Sequence, residues 1–395
     1  MSCAANPFRR AASTIIIAAF LGCLASVVAE ARVGAPVATA DPAVNSCNVD
    51  VLPQRLPRLV LDIAVTCNVP GELTLRAGGG RMGRFVSDVR GAHAMPVAKM
   101  ARDWTVDARP GFHPGIAYRF DLDGFLDEAD RVTTGLRRGD TRLALLETWL
   151  LQPLADGLAL PVAIHVTQTP ETRFATALPY SAGRWRLPDI RVRFAGYTVF
   201  GNFTITSVPV DPPGSLATPV AAGSAPLPPA TIDLVTMDGR LEPQPAHLAD
   251  WVRQSAAAVA GYFEGYSAAQ SLVVLLPTSG SGVPFGRVVP GGGISMVVLV
   301  GESASARGLY GEWVLIHEMI HTATPFIYDR GTWIMEGLAT FLEPVIRARA
   351  GWKTEADVWR EWIANMDRGV RSLTETGLRN TTSPYWGGAL FTVLG

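Results

Sequence analysis

From residue 45 to about residue 208, apolar and polar positions alternate in short runs broken by Gly and Pro. Leu59, Leu61, Ile63, Val65 and Cys67 share one parity. Tyr118, Phe120 and Leu122 alternate with Arg119, Asp121 and Asp123, and Ile190, Val192 and Phe194 alternate with Arg191 and Arg193. Side chains of a strand point alternately to its two faces, so this period predicts half-buried antiparallel strands of a sandwich-like layer. His165 has the parity opposite to Ile164 and Val166 and belongs on a solvent face, while His93 and His113 fall in loops without partners at ligand spacing.

Residues 209–230 change character: Pro209, Pro212, Pro213, Pro219, Pro226, Pro228 and Pro229 are interleaved with Ala, Gly, Ser and Thr. That composition reads as a linker and sets the expected domain boundary. Beyond it both periods occur. Leu248, Trp251, Val252, Val259, Tyr262 and Phe263 recur at helical spacing after Pro245. Ser271 to Leu276 and Ile294 to Val300 are apolar runs of strand length. Helices are predicted near 311–323, 332–349 and 355–368, with a last one starting near Tyr385. The expected fold is α+β: an N-terminal antiparallel β-sandwich-like domain over 32–208, the linker over 209–230, and a mainly helical domain with a small sheet over 231–395.

Composition narrows the classes. The formal net charge is −1 and no long Lys/Arg run exists, so the electrostatic footprint of a nucleic-acid binder is missing. Arg9-Arg10, the short apolar run Thr14 to Val28 and Ala29-Glu30-Ala31 read as an export signal over 1–31. The run is too short for a comfortable membrane span, so an exported, periplasmic or secreted chain without a stable span after cleavage is expected. Cys3 and Cys23 would leave with the signal. Cys47 and Cys67 then form an even pair in an oxidising compartment, which predicts one disulfide; two free buried thiols are the alternative.

The chemistry concentrates in His317-Glu318-Met319-Ile320-His321, inside an apolar helical run. Residues i and i+4 lie above one another on a helix, so both imidazoles can reach one cation. Glu318 sits one step round the helix, able to touch a metal-bound water without being a ligand. Fifteen positions after His321 comes Glu336, within Trp333-Ile334-Met335-Glu336-Gly337-Leu338-Ala339. A carboxylate in apolar surroundings wants a cation, and His317, His321 and Glu336 would complete the three-ligand set of a catalytic Zn²⁺, one per chain.

These two motifs together resemble the gluzincin metallopeptidases, and most closely the glycyl aminopeptidase-like, peptidase MA-like members related to aminopeptidase N. The resemblance implies a thermolysin-like catalytic domain behind a β domain, a peptide or protein substrate, and Glu318 as general base. Ser383-Pro384-Tyr385-x-x-Gly388 is similar to the segment that supplies the family's oxyanion-binding tyrosine, which implies that role for Tyr385. Gly291-Gly292-Gly293 falls where the family places its substrate-binding edge strand. The chain departs from the family at Ile294 and Ser295, where aminopeptidases carry the Glu that binds a free α-amine. The His321 to Glu336 interval is also about one helical turn shorter than in aminopeptidase N relatives. The sequence ends at Gly395, early in an apolar helix where family members usually continue, so a truncation or fragment is the expectation. An inactive peptidase-like binding module is the functional alternative.

Overall fold

The computed structural model describes residues 45–55, 58–79, 81–187, 191–210, 230–327, 331–376 and 384–394. The expected export signal over 1–31 lies outside them. Strands Cys47–Arg55 and Leu59–Cys67 pair antiparallel, and the predicted parity holds: Leu59, Leu61, Ile63, Val65 and Cys67 are all buried. Cys47 and Cys67 face each other across this pair and form the disulfide. His165 is exposed on its strand.

The hairpin belongs to a seven-stranded sheet, ordered Tyr180–Ser181, Arg184–Leu187, Val162–Val166, Cys47–Arg55, Leu59–Cys67, Gly115–Asp121, Val86–Gly91. The sheet is not wholly antiparallel, because Val162–Val166 runs parallel to Cys47–Arg55. A parallel partner needs a long connection, here everything between the two strands. Five- and four-stranded sheets complete the N-terminal part. Their shared core centres on Trp149, which is fully buried, packs edge-on against Phe174 and Phe200, and donates from Nε1 to Thr198 Oγ1 at 3.0 Å.

Two local readings change. Leu122 does not continue the strand of Tyr118 and Phe120 but opens α1 (Leu122–Ala129), because the Asp121 carboxylate accepts the Gly124 N–H at 2.8 Å and caps the helix. Val192–Phe194 is a single 3₁₀ turn with Val192 buried and Phe194 outside; three alternating residues were too few to separate the two forms. A short helix α2 (Leu146–Trp149) follows the strand Thr141–Leu145.

The C-terminal part is built on a five-stranded sheet ordered Ile205–Val210, Ala230–Thr236, Gln270–Thr278, Ile294–Gly301, Phe285–Pro290. Its central pairs are parallel and its two edges antiparallel. The parallel step from Ala230–Thr236 to Gln270–Thr278 is made through α3 (Pro245–Phe263), which starts with Pro at its first turn, where no N–H is missed. The expected linker joins two strands of this one sheet: Pro209 pairs with Thr231 on the outer strand, a position where a missing N–H is tolerated. Residues 205–210 therefore sit with the C-terminal sheet rather than with the β layers before them, and residues 211–229 lie outside the described ones.

Helices α4 (Val314–Ala323), α5 (Thr332–Arg349), α6 (Glu355–Arg371) and α7 (Pro384–Leu394) follow. Val314, Leu315, Met319, Ala339, Leu342 and Ile346 pack with Val273, Leu275, Met296 and Val298 on one face of the sheet. On the other face Leu272, Val274 and Val297 meet Leu143, Tyr197 and Val199 of the four-stranded sheet. Here the layers touch closely: Tyr197 N–H donates to Ser295 Oγ at 2.7 Å, and a methyl at Gly196 would sit 2.0 Å from that oxygen. Among the described residues, no helix is long and apolar enough to cross a membrane.

Candidate metal centre

Helix α4 runs through the core, so nearly every one of its side chains is buried; His317, Glu318 and His321 are 1%, 8% and 2% exposed. His317 and His321 share a face, with ring centroids 4.8 Å apart. Helix α5 brings Glu336 to that face. Its Oε2 lies 3.0 Å from His317 Nε2 and 3.5 Å from His321 Nε2, and one ligand atom from each residue falls within 4.8 Å of the others. The other ring nitrogen of each His, Nδ1, is buried without a hydrogen-bond partner. Three groups able to donate an electron pair thus converge on one point, with both imidazole Nε2 atoms facing the carboxylate oxygen. Two imidazole nitrogens and one carboxylate oxygen are a donor set that suits zinc.

The electrostatics follow from burial and proximity. Burial alone would raise the Glu336 carboxyl, but its bonds to His317 and His321 win and hold it at about 2. Burial pushes His317 below its ordinary value, against the pull of Glu336. Glu318 is driven up to about 7, chiefly by burial; His321 pulls it down and Glu336 pushes it up. A carboxyl poised near neutrality is what a general base at working pH needs. Its Oε2 accepts the Val288 N–H at 2.9 Å, so the side chain is held in one orientation.

Val288 belongs to Phe285–Pro290, the edge strand of the sheet. Gly286 two residues earlier faces the same way, and a methyl there would sit 2.6 Å from Glu318 Cγ and 2.7 Å from Val314 Cγ1. Glycine is required because the strand backbone lies directly against the helix. The sequence reading put the edge strand at Gly291-Gly292-Gly293, and this is corrected. Those glycines form the turn after the edge strand, all with positive φ, and Gly292 and Gly293 press against Leu178, Leu187 and Ala177 rather than against α4. The apolar run before them, with one Gly between Phe285 and Arg287, was the available signal.

Tyr385 enters from α7. Its ring centroid is 5.7 Å from that of His317 and 6.5 Å from that of Trp313, and burial, with the Glu336 and Glu318 charges, raises its hydroxyl to about 12. The placement depends on two glycines. A methyl on Gly337 would lie 2.3 Å from Gly388 Cα, and one on Gly388 would lie 2.2 Å from Trp333 O and 2.7 Å from Gly337 Cα. Backbone therefore meets backbone where α5 crosses α7, one residue after Glu336 and three after Tyr385. Gly388→Ala is expected to destabilise the protein by about 1–3 kcal/mol through overpacking. Thermal melting checks this; a wild-type melting temperature would show that the helices do not meet there.

No family model matches the chain, and no curated protein matches it. Solved structures do. An aminopeptidase N family protein from Idiomarina loihiensis superposes with a TM-score of 0.59 at 12% identity, over 87% of this chain and 65% of that one. An M1 zinc metallopeptidase from Deinococcus radiodurans gives 0.46 at 16% identity, over 88% of this chain and 80% of its own. This chain thus spans just under two thirds of the Idiomarina protein's length. The fold is similar to that of the aminopeptidase N family protein.

Proposed function

We propose that this chain is an exported zinc-dependent peptidase that hydrolyses peptide bonds with Glu318 as general base. The observation that carries the proposal is the convergence of His317 Nε2, His321 Nε2 and a Glu336 carboxylate oxygen on one point, with Glu318 buried beside it. We read residues 231–395, joined by the strand Ile205–Val210, as a thermolysin-like catalytic domain holding one zinc per chain. Export rests on the N-terminal sequence pattern, and the disulfide Cys47–Cys67 agrees with an oxidising compartment.

A zinc ion held by His317, His321 and Glu336 would polarise the scissile carbonyl and bring the pKa of its water to about 7. Glu318, fixed by the Val288 N–H, takes a proton from the attacking water and hands it to the leaving amine. Tyr385 keeps its hydroxyl proton at neutral pH and can donate it to the oxygen on which charge develops. Among the described residues no strand pairs with the outer edge of Phe285–Pro290, which can take an extended peptide as an added strand. Beside this reading, an inactive binding module gives Glu318 no duty, although its burial is costly.

Hydrolysis of a mixed peptide library is expected to stop on chelation and to return when zinc is restored. Hydrolysis indifferent to chelator, or absent from the zinc-loaded protein, would remove the proposal.

A further inference from the structure

The edge strand Phe285–Pro290 carries no acid. Its parity is set by Gly286 and Val288, which face α4, so Arg287 and Val289 project to the opposite side of the sheet. There Arg287 Nη1 donates to Thr133 O at 2.7 Å and to Tyr197 Oη at 3.2 Å. Both acceptors are neutral. Among the described residues no carboxylate forms an ion pair with this half-buried guanidinium, and its Nε and Nη2 donate to nothing. A partly desolvated guanidinium with spare donors is a fork built for a carboxylate.

The charged groups around it do not satisfy it. Glu318 of α4 packs against the next residue of the strand, Val288, close enough for the two charges to interact, but its Oε2 is committed to the Val288 N–H. Glu147 of α2 feels Arg287 from the other side, yet burial holds its carboxyl above the ordinary value and Arg193 shares it. Further arginines, Arg76, Arg102, Arg191 and Arg193, line a cavity of about 190 Å³ whose wall includes Glu147. Arg193 and Arg287 both act on Glu147, so positive charge gathers around it, which favours an anion over a free ammonium group.

We infer that Arg287 is a specificity-determining residue that takes a carboxylate of the bound peptide, an inference that rests on the peptidase reading above. The carboxylate is supplied by an acidic side chain or by the peptide's own C-terminus, since both present the same group to the fork.

The test is calorimetric binding to zinc-loaded Glu318→Gln protein, which holds peptide without cleaving it. Three matched sets of short peptides are compared: Glu scanned through each position with an amidated end, Gln with a free C-terminal carboxylate, and Gln with an amidated end. At least one carboxylate set should bind about 10- to 100-fold more tightly than the neutral set, as charge-assisted hydrogen bonds to a partly buried cation do. Adding Arg287→Gln should erase that ratio, and Arg287→Lys should retain part of it; which set shows the preference identifies the source. Equal binding of all three sets, no binding of any, or a preference that survives Arg287→Gln would overturn the inference. So would an Arg287→Gln loss shared equally by all sets, which marks a purely structural contact to Thr133 and Tyr197. The peptidase reading is judged separately by hydrolysis in the wild-type protein, so cleavage without carboxylate preference removes this inference alone.

Discussion

Glu318→Gln should lower peptide turnover about 10²- to 10⁴-fold, the usual worth of a positioned general base, while zinc content and melting temperature stay near wild type. The amide keeps the shape of the carboxyl, and its oxygen can still accept the Val288 N–H. What it loses is the ability to take a proton. The carboxyl is suited to the task because burial lifts it to about 7, and because the edge strand beside it carries Gly286, leaving room for the Glu318 side chain. A Gln variant with full turnover would place the base elsewhere and end the mechanism, even if zinc is bound.

The second large effect lies far from the metal. Asp123→Ala should destabilise the protein by about 3–5 kcal/mol, the cost of leaving a buried charge unpaired. Both carboxylate oxygens of Asp123 accept from Arg142 at 2.8 Å, one also accepts the Leu59 N–H at 3.0 Å, and both side chains are buried. These bonds fasten α1 to the start of the strand Leu59–Cys67 and to the strand Thr141–Leu145. Burial pushes the Asp123 carboxyl up, but Arg142, the Leu59 N–H and Arg137 together bring it below its ordinary 3.8. A depressed carboxyl stabilises the fold above its unfolded pKa, and that contribution is lost as pH falls through the lowered value. Urea denaturation at neutral pH measures the main effect; a loss under about 1 kcal/mol would mean the pair is hydrated in solution. In the variant, the part of the acid sensitivity that belongs to this group should disappear.

What the sequence made legible was local. The i, i+4 spacing of His317 and His321 is a property of one helix, and the apolar frame around Glu336 is a property of another, so the ligand set could be read before any packing was known. Parity placed Cys67 in the core for the same reason, and Cys47 lies opposite it in the structure. What stayed hidden depends on contacts between distant segments. Nothing in Val162–Val166 declares that it lies parallel to Cys47–Arg55, because both strands are apolar on the same parity whichever neighbour they take. The Pro-rich stretch looked like a boundary because composition reports on stiffness, not on which strands its ends join; Ile205–Val210 is placed by its pairing with Ala230–Thr236. The three consecutive glycines mark the turn, whereas the edge strand beside Glu318 is the run before it, marked by one glycine forced by the approach of α4. The crossing of Gly337 on Gly388 explains physically why a glycine follows Glu336 and another follows Tyr385 by three residues. Arg287 was not legible at all, since an arginine on an alternating strand ordinarily faces water.

The most direct test is the zinc content of the purified protein, measured beside Glu336→Ala. The account predicts about one tightly held zinc per wild-type chain and loss of it in the variant, with both chains folded. A folded wild-type protein that neither carries nor takes up zinc would contradict it, and would leave His317, His321 and Glu336 as a buried polar cluster without a metal.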